Sequence, residues 1–312
     1  MPIKAKKKVI FCKAETTYGT DAVPVAATDS MLVHNFACVP VVMNMVERDP
    51  VMPFFGNQGQ VKVGDYMTME YEIEVAGAGA VAAVPGYSPA MLGCAFSQTI
   101  TPTTGPVTYA NITSAEQSVT KYFYWDGLLH KLLGARGTSE LRMSATQVPM
   151  IHTSWIGLYG GITDVAMPAP VLTAFQKPVA VNKINTTFTL YGFTGVLSSL
   201  TITQGCEHVY KNAPNSEAIN FIGRKSKGSV TIELPLITAK DFFSICRAEP
   251  PTLGALAVTH GVTAGNKFIV AAAGMRVINP KYSEAEGVAL LSMDFDLQPT
   301  AAGNDEFTYA TQ

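Results

Sequence analysis

The chain has 312 residues, of which 47% are hydrophobic and only 15% are charged. A typical soluble domain has about 25% charged residues, so a monomer of this composition would have an unusually neutral surface, and we expect it to associate. The 22 Lys and Arg residues against 24 Asp and Glu residues give a formal net charge of −2. This balance excludes the basic excess of a protein that grips nucleic acid by neutralising phosphates.

The sequence predicts neither a membrane span nor a secretory signal. The longest apolar stretches, 81–96 and 268–277, are short or interrupted by Gly and Pro, whereas a spanning helix needs about 20 apolar residues. Four lysines lie in the first ten residues, but no continuous apolar stretch with a cleavage site follows them. The five cysteines are odd in number and far apart, which favours a reducing compartment and buried thiols.

In chain order, residues 1–31 show neither helical nor strand periodicity and are interpreted as an extended N-terminal arm. Further along, apolar and polar residues alternate with the period of a strand that has one wet face. The segments with this pattern are 70–75, 187–190, 200–203, 229–234 and 291–297. The pattern predicts a protein dominated by antiparallel sheet.

Turn residues and helix caps complete the predicted elements. Asp126-Gly127 predicts a hairpin turn after the aromatic run 122–125, and the Gly-rich segment 134–137 predicts a break between two further short strands. Ser88, followed by Pro89, and Thr238 have the residue types of N-caps. We therefore expect two short helices, at 88–96 and 238–246.

These elements recur in the same order, which indicates an internal duplication. The pairs are Phe54-Phe55-Gly56 with Phe221-Ile222-Gly223, Glu70 with Glu233, and Lys121 with Lys267. The interpretation is a mainly β protein of two tandem antiparallel β-sandwich or barrel domains, each with one short flanking α-helix. They would span 32–165 and 180–312, joined by a Pro-containing linker at 166–179. The alternative is chance recurrence of strand, helix and strand in a β-rich chain.

The sequence carries no recognisable catalytic motif. It lacks a Gly-x-Ser-x-Gly nucleophile elbow, a phosphate-binding loop and a His-Glu-x-x-His zinc helix. Gly77-x-Gly79 follows a predicted strand but lacks the third glycine of a dinucleotide loop, and no two of the five histidines have the spacing of paired metal ligands. We therefore expect no enzyme, and no catalytic, cofactor or metal site.

Three carboxylates are predicted to share one face of a strand. Glu70, Glu72 and Glu74 repeat every second residue, which spaces them about 6–7 Å apart. They could form an ordinary solvated face, or they could line a channel that passes a polyanion without retaining it, because carboxylates repel phosphates. Asp294 and Asp296 are the candidates for the same part in the second copy.

Two aromatic residues are predicted at the tip of a loop. Phe54 and Phe55 follow Pro53 in a polar connection of about 20 residues, and an exposed apolar patch of this kind favours a docking partner. The alternative is that they fold back as a lid on their own domain. Phe221 and Ile222 are the corresponding candidates in the second copy.

Several of these segments together resemble a major tail tube protein of a long-tailed bacteriophage. The resemblance rests on 13–22 in the arm, the hairpin with Asp126-Gly127 and 134–138, and the run 224–234 leading to Thr238. It implies β-sandwiches that close into rings, with the inner strands forming a continuous barrel and long loops stacking one ring on the next. The loops at 40–63 and 206–228 would reach the adjacent ring.

The resemblance also implies a function. Three two-domain chains would form a homotrimeric ring with pseudo-sixfold symmetry, and stacked rings would form a hollow tube in the virion, assembled in the host cytoplasm. The tube would conduct DNA without binding it specifically and enclose the tape-measure protein, with tail tip and terminator proteins as further partners. The alternative is a tandem β-sandwich binding module, carbohydrate-binding or capsid-decorating, that uses the aromatic run 122–125 as a stacking platform.

Overall fold

The computed structural model describes residues 2–312 and is mainly β, with 52% of residues in strands and 4% in helices. The strands are β1 Lys8–Ala14, β2 Ser30–Met31, β3 His34–Glu47, β4 Gln60–Glu74, β5 Phe96–Ile100, β6 Val107–Asn111, β7 Val119–Trp125, β8 Leu128–Ser144, β9 Met150–Asp164, β10 Thr186–Leu190, β11 Leu197–Thr203, β12 Cys206–Ala213, β13 Ser216–Arg224, β14 Lys227–Glu233, β15 Gly254–His260, β16 Phe268–Ala285, β17 Val288–Leu297 and β18 Thr308–Thr311. The helices are α1 Ser88–Gly93 and α2 Phe242–Arg247.

Sixteen of these strands form one sheet, and β12 and β13 pair only with each other. The strand pairs are antiparallel, which confirms the prediction from the alternating segments. Buried apolar residues from both halves of the chain form one large core, and a second, smaller cluster consists of Val9, Phe11, Tyr122, Tyr124 and Leu129.

The same order of paired strands occurs twice. Residues 8–164, the first half, give the order β1-β7-β8-β9-β4-β3. Residues 186–297, the second half, give the order β10-β15-β16-β17-β14-β11. The two halves are joined because β8 also pairs with β11. Strand for strand, β3 therefore corresponds to β11, β4 to β14 and β8 to β16.

A shared irregularity fixes which residues correspond. The register shifts once between Val119 and Lys121 opposite β8, and once between Gly254 and Leu256 opposite β16. When these two shifts are aligned, each residue at the start of β8 and along β9 corresponds to the residue numbered 140 higher on β16 or β17. The matched pairs include Arg136 with Arg276 and, through the partners of β9 and β17, Thr68 with Lys227 and Glu74 with Glu233. The match of Glu70 with Glu233 expected from the sequence was wrong by four residues, because residue types along one strand do not show which residues of the neighbouring strand lie opposite them.

The break expected at residues 134–137 does not occur, and β8 is one continuous strand. Gly134 has a φ of +55° and lies at a bulge, where the register shifts between Leu133 and Arg136. A Cβ atom on Gly134 would lie 2.9 Å from the ring of Tyr18. The glycine therefore permits a bulge and close packing of the N-terminal segment, and does not make a turn.

The N-terminal segment contains a strand that the sequence pattern did not reveal. Strand β1 pairs with β7 along its whole length. Its residues 9–12 are all apolar and all buried. The strand is therefore covered on both faces and lacks the alternation of apolar and polar residues on which the strand predictions depended.

Both helices exist but are shorter than expected. Helix α1 begins at Ser88 itself, with Tyr87 in the cap position and no capping hydrogen bond from a side chain. The cap of α2 is Asp241, whose side chain accepts a hydrogen bond from the Ser244 amide at 2.9 Å, so Thr238 is not the cap. Asp241 completes a hydrogen bond that the first turn of the helix needs.

Candidate functional site

Eight strands form a continuous row with one polar face, in the order β3-β4-β9-β8-β11-β14-β17-β16. Along each central strand, buried apolar residues alternate with polar residues on the opposite face. Cross-strand pairing continues this face from one half of the chain to the other. Its members include Glu70, Glu72, Glu74, Ser154, Thr138, Arg142, Thr201, Ser229, Asp294 and Asp296.

The three glutamates of β4 lie on this polar face but differ in their partners. Glu72 accepts a hydrogen bond from Arg142 Nη1 at 2.9 Å, and Glu74 lies 3.1 Å from His34 Nε2. Glu70 is exposed and has no hydrogen-bond or ion-pair partner within residues 2–312. The face is therefore acidic and partly neutralised, and Glu70 is its freest carboxylate on β4.

Glu140 adds a carboxylate that the sequence analysis missed. It accepts hydrogen bonds from Arg142 Nε at 2.6 Å and from Thr203 Oγ1 at 2.9 Å. Partial burial raises the pKa of Glu140, but these hydrogen bonds outweigh the burial and the pKa is lowered. Its ionised form is thus held on the polar face, where β8 of the first half meets β11 of the second.

In the second half, Asp294 and Asp296 border an open cleft of about 380 Å³. Gly228 is among the residues that line the cleft, and a Cβ atom there would clash with the Thr201 carbonyl oxygen and the Phe295 ring, so the glycine permits close packing of the neighbouring strands. Asp294 lies 3.3 Å from the Asn279 side-chain amide, and Asp296 is exposed. The two aspartates expected from the sequence therefore lie on the same polar face as the β4 glutamates.

The row of eight strands ends in two open edges. Strand β3 pairs only with β4, so its other edge carries no ladder within residues 2–312. Strand β16 pairs with β15 up to Met275, and residues 276–285 pair only with β17. The equivalent strands inside the chain, β11 and β8, are bonded to each other. The open edges of β3 and β16 therefore correspond to the edges of β11 and β8 that pair with each other inside the chain.

Large apolar side chains are exposed beside both edges. Tyr282 on β16 is 70% exposed, and Met43 on β3 is 57% exposed. Residues 39–63, here named the outer hairpin, extend beyond the sheet. The exposed large apolar residues on its two strands are Val39, Val41, Met43, Met45, Val46, Val61 and Val63, and those in the connection between the strands are Val51, Met52, Phe54 and Phe55. Apolar surface of this extent favours a protein partner.

The tip of the outer hairpin carries the two aromatic residues predicted to be exposed. Phe54 is 62% exposed and Phe55 is fully exposed, and both follow Pro53 in the connection between β3 and β4. Phe221 and Ile222 lie within strand β13 and not in a loop. The Phe221 ring packs 5.6 Å from the His208 ring, whereas Ile222 is exposed.

The β12–β13 hairpin packs against the first half of its own chain. Tyr210 lies 5.2 Å from the ring of Tyr66, and Asn212 Nδ2 donates a hydrogen bond to the Val63 carbonyl at 3.2 Å. On the other strand of the hairpin, Arg136 Nη1 donates to the Ile219 carbonyl at 2.7 Å. Arg136 was hidden in the segment interpreted as a turn, and no sequence signal marked it as a contact.

Other features bear on the alternative functions. The rings of Tyr122, Phe123 and Tyr124 are buried in β7, so this part of the aromatic run offers no open stacking platform. No group of three or more His, Cys, Asp and Glu residues arranged to hold a metal ion occurs in the described chain, residues 2–312. In the same residues, no helix has the length and apolar character to cross a membrane.

A scan against protein-family models found no match, and a search of curated proteins found none either.

Proposed function

We propose that this protein is a structural subunit that closes into rings and stacks into a hollow tube, as the tail tube protein of a long-tailed phage does. The observation that carries the proposal is the pair of open edges on β3 and β16. Their equivalents, β11 and β8, are paired within the chain. A second copy that presents β3 to β16 would repeat that contact and complete both ladders.

The internal contact supplies the register for the contact between copies. Inside the chain, Ile202 lies opposite Leu141, flanked by Thr201 opposite Arg142 and Thr203 opposite Glu140. Each of these β11 residues has a counterpart on β3, and each of the β8 residues has a counterpart on β16. Beyond the bulge between Ile278 and Lys281, the counterpart on β16 lies one residue further along the chain. The proposed pairs between copies are Cys38 with Tyr282, Ala37 with Ser283, and Val39 with Lys281.

This pairing always leaves one free edge at each end of the assembly, so it continues until a ring closes. The repeated strand order supports two tandem domains of tail tube type. Three chains would then contribute six such domains and 3 × 8 strands to one barrel. The Tyr282 ring, exposed in one copy, would be covered by the neighbouring β3.

We assign the polar face to the lumen of the tube. Helices α1 and α2 contact the sheet at the opposite, apolar face through buried residues such as Met91 and Phe242. The carboxylates Glu70, Asp294 and Asp296 would then face the passing DNA, and their repulsion of phosphate would let the DNA slide without adhering. The lumen would first hold the tape-measure protein.

Stacking of rings is assigned to the protruding side chains. Phe54 and Phe55, with Pro53 beside them, would contact the adjacent ring, and exposed Ile222 is the candidate in the second half, where Phe221 packs on the His208 ring and does not protrude. Tail tip and terminator proteins would bind at the two ends of the tube, where these surfaces have no further ring to meet. The proposed location is the virion.

Electron microscopy of the purified protein tests the proposal. At increasing protein concentration, or after addition of a tail initiation complex, negatively stained samples should contain closed rings and hollow tubes. Light scattering should report a trimer or a larger species. A chain that stays monomeric at every concentration and with every initiator would contradict the proposal.

A further inference from the structure

Two equivalent arginines differ in whether they have a partner. Arg136 is mostly buried and donates a hydrogen bond to the Ile219 carbonyl of the β12–β13 hairpin at 2.7 Å. Arg276, its counterpart on β16, is half-buried and has no hydrogen-bond or ion-pair partner within residues 2–312. It forms no ion pair with Asp296, which lies opposite it on β17. No nitrogen of Arg276 is among the buried unpaired side-chain atoms of residues 2–312, so its guanidinium reaches solvent and has five donors to offer to a neighbouring copy.

The hairpin that Arg136 binds has a counterpart in the first half. The β12–β13 hairpin connects β11 to β14, and the outer hairpin connects β3 to β4. Because β3 corresponds to β11 and β4 to β14, the two hairpins occupy equivalent places in the chain. One is packed on a neighbouring half with Ile219 fully buried, whereas the other has exposed apolar residues on both strands.

We infer that the outer hairpin of one copy lies across the second half of the neighbouring copy in the same ring, where Arg276 donates a hydrogen bond to its backbone. This inference rests on the proposed function, since it needs a neighbour at the β16 edge. Ile219 precedes Lys227 by 227 − 219 = 8 residues, and Lys227 corresponds to Thr68. Counting back, 68 − 8 = 60, so the acceptor is the carbonyl of Gln60 or of a residue next to it.

The hairpin has the chemistry to occupy this site. Val61 and Val63, next to Gln60, are both exposed in the single chain. A hairpin seated on the neighbour would bury them, as Ile219 is buried in the internal contact. The tip with Phe54 and Phe55 lies at the far end of the hairpin and remains free to meet the next ring.

Three arginine variants separate this contact from general effects of losing a charge. Arg276→Met should leave the melting temperature of the monomer unchanged but raise the concentration needed for assembly about tenfold or more, because a charged hydrogen bond is lost only between copies. Arg136→Met should lower the monomer's melting temperature, because its contact is internal. Arg247→Met, on the exposed end of α2, is the matched control and should do neither. Assembly of Arg276→Met at the wild-type concentration would overturn the inference.

Photocrosslinking locates the hairpin directly. A benzophenone amino acid at Val61 should link to β16 or β17 of another copy, near Arg276 or Asp296, when the assembled protein is irradiated. Tubes whose links map to any other surface would overturn this inference and leave the proposed function standing. A chain that forms no assembly would overturn both.

Discussion

Lys121 and Cys12 face each other across β7 and β1 in the middle of the apolar core. Lys121 Nζ lies 3.6 Å from Cys12 Sγ and 3.3 Å from the centre of a ring of Trp155, and it donates a hydrogen bond to the Tyr71 hydroxyl. No carboxylate of residues 2–312 forms an ion pair with Lys121. The equivalent pair in the second half is Leu256 and Leu190, also opposite one another and buried. The fold therefore does not require an amine at this position.

Replacing this buried amine should stabilise the protein. Burial lowers the pKa of Lys121 below its ordinary value, so keeping it buried carries a free-energy cost at neutral pH. The double variant Lys121→Met with Tyr71→Phe removes the amine and the hydroxyl it binds, and should raise the free energy of unfolding by about 1–2 kcal/mol. Urea denaturation measures this change. The control is Lys131→Met, which removes an ion pair with Asp21 at 2.9 Å and should not stabilise.

The same lysine predicts a pH dependence. Between the lowered pKa of folded Lys121 and the ordinary value of about 10.4, the unfolded chain binds more protons than the folded chain. The stability contributed through Lys121 therefore rises with pH across this window and levels off above it. The stability difference between wild type and the double variant should shrink as the pH is raised from 7 to 10. A difference that stays constant over this range would contradict the assignment of a lowered pKa.

A cysteine placed opposite Cys38 tests the proposed register between copies. In antiparallel pairs the Cα atoms are about 4.5–5.5 Å apart, which suits a disulfide. Tyr282→Cys should give covalent oligomers under oxidising conditions, and a reducing agent should return them to monomers on a denaturing gel. The matched control is Tyr282→Cys combined with Cys38→Ser, which should give no ladder. Strong crosslinking by Lys281→Cys instead would contradict this register and indicate a shift of one residue.

The sequence predicted the class of fold because alternation is a local property. Segments such as 70–75 and 229–234 became central strands with one polar face, as their patterns indicated. Strand β1 was missed because its run 9–12 is buried on both faces and has no period. The Gly-rich segment 134–137 was misinterpreted because a glycine can serve a bulge as well as a turn, and the ring of Tyr18 that decides between them lies 116 residues away in the chain.

The candidate site was predictable only in its residue types. Glu70, Glu72 and Glu74 could be placed on one face from their spacing, but the partners of Glu72 and Glu74, Arg142 and His34, lie on other strands. The open edges of β3 and β16 are recognised only from the pairing of β11 with β8, which joins residues 199 − 144 = 55 to 203 − 140 = 63 positions apart in the chain. No local pattern records which side of a strand lacks a partner.

Reversing charge on the polar face should affect DNA passage and not assembly. Glu70 is exposed and has no partner within residues 2–312, so replacing it with Lys breaks no contact of the fold, whereas Asp296 is kept because it lies opposite Arg276, where the neighbouring hairpin is inferred to bind. Tubes should form normally, and DNA delivery by virions that carry the variant should fall because lysines attract phosphate. Glu70→Gln is the control and should have a smaller effect. Normal infectivity of the lysine variant would remove the lumen assignment.

Shortening the aromatic tip should separate ring closure from ring stacking. Phe54→Ser with Phe55→Ser removes two exposed rings that touch neither open edge, so trimeric rings should still form while tubes become short or absent. The reason is that each ring-to-ring contact loses apolar area, at about 25 cal/mol per Å² buried. Ile184→Ser, at another exposed apolar position, is the control and should leave tube length unchanged. Length distributions from electron micrographs measure the effect, and long tubes built by the double variant would mean that stacking uses a different surface.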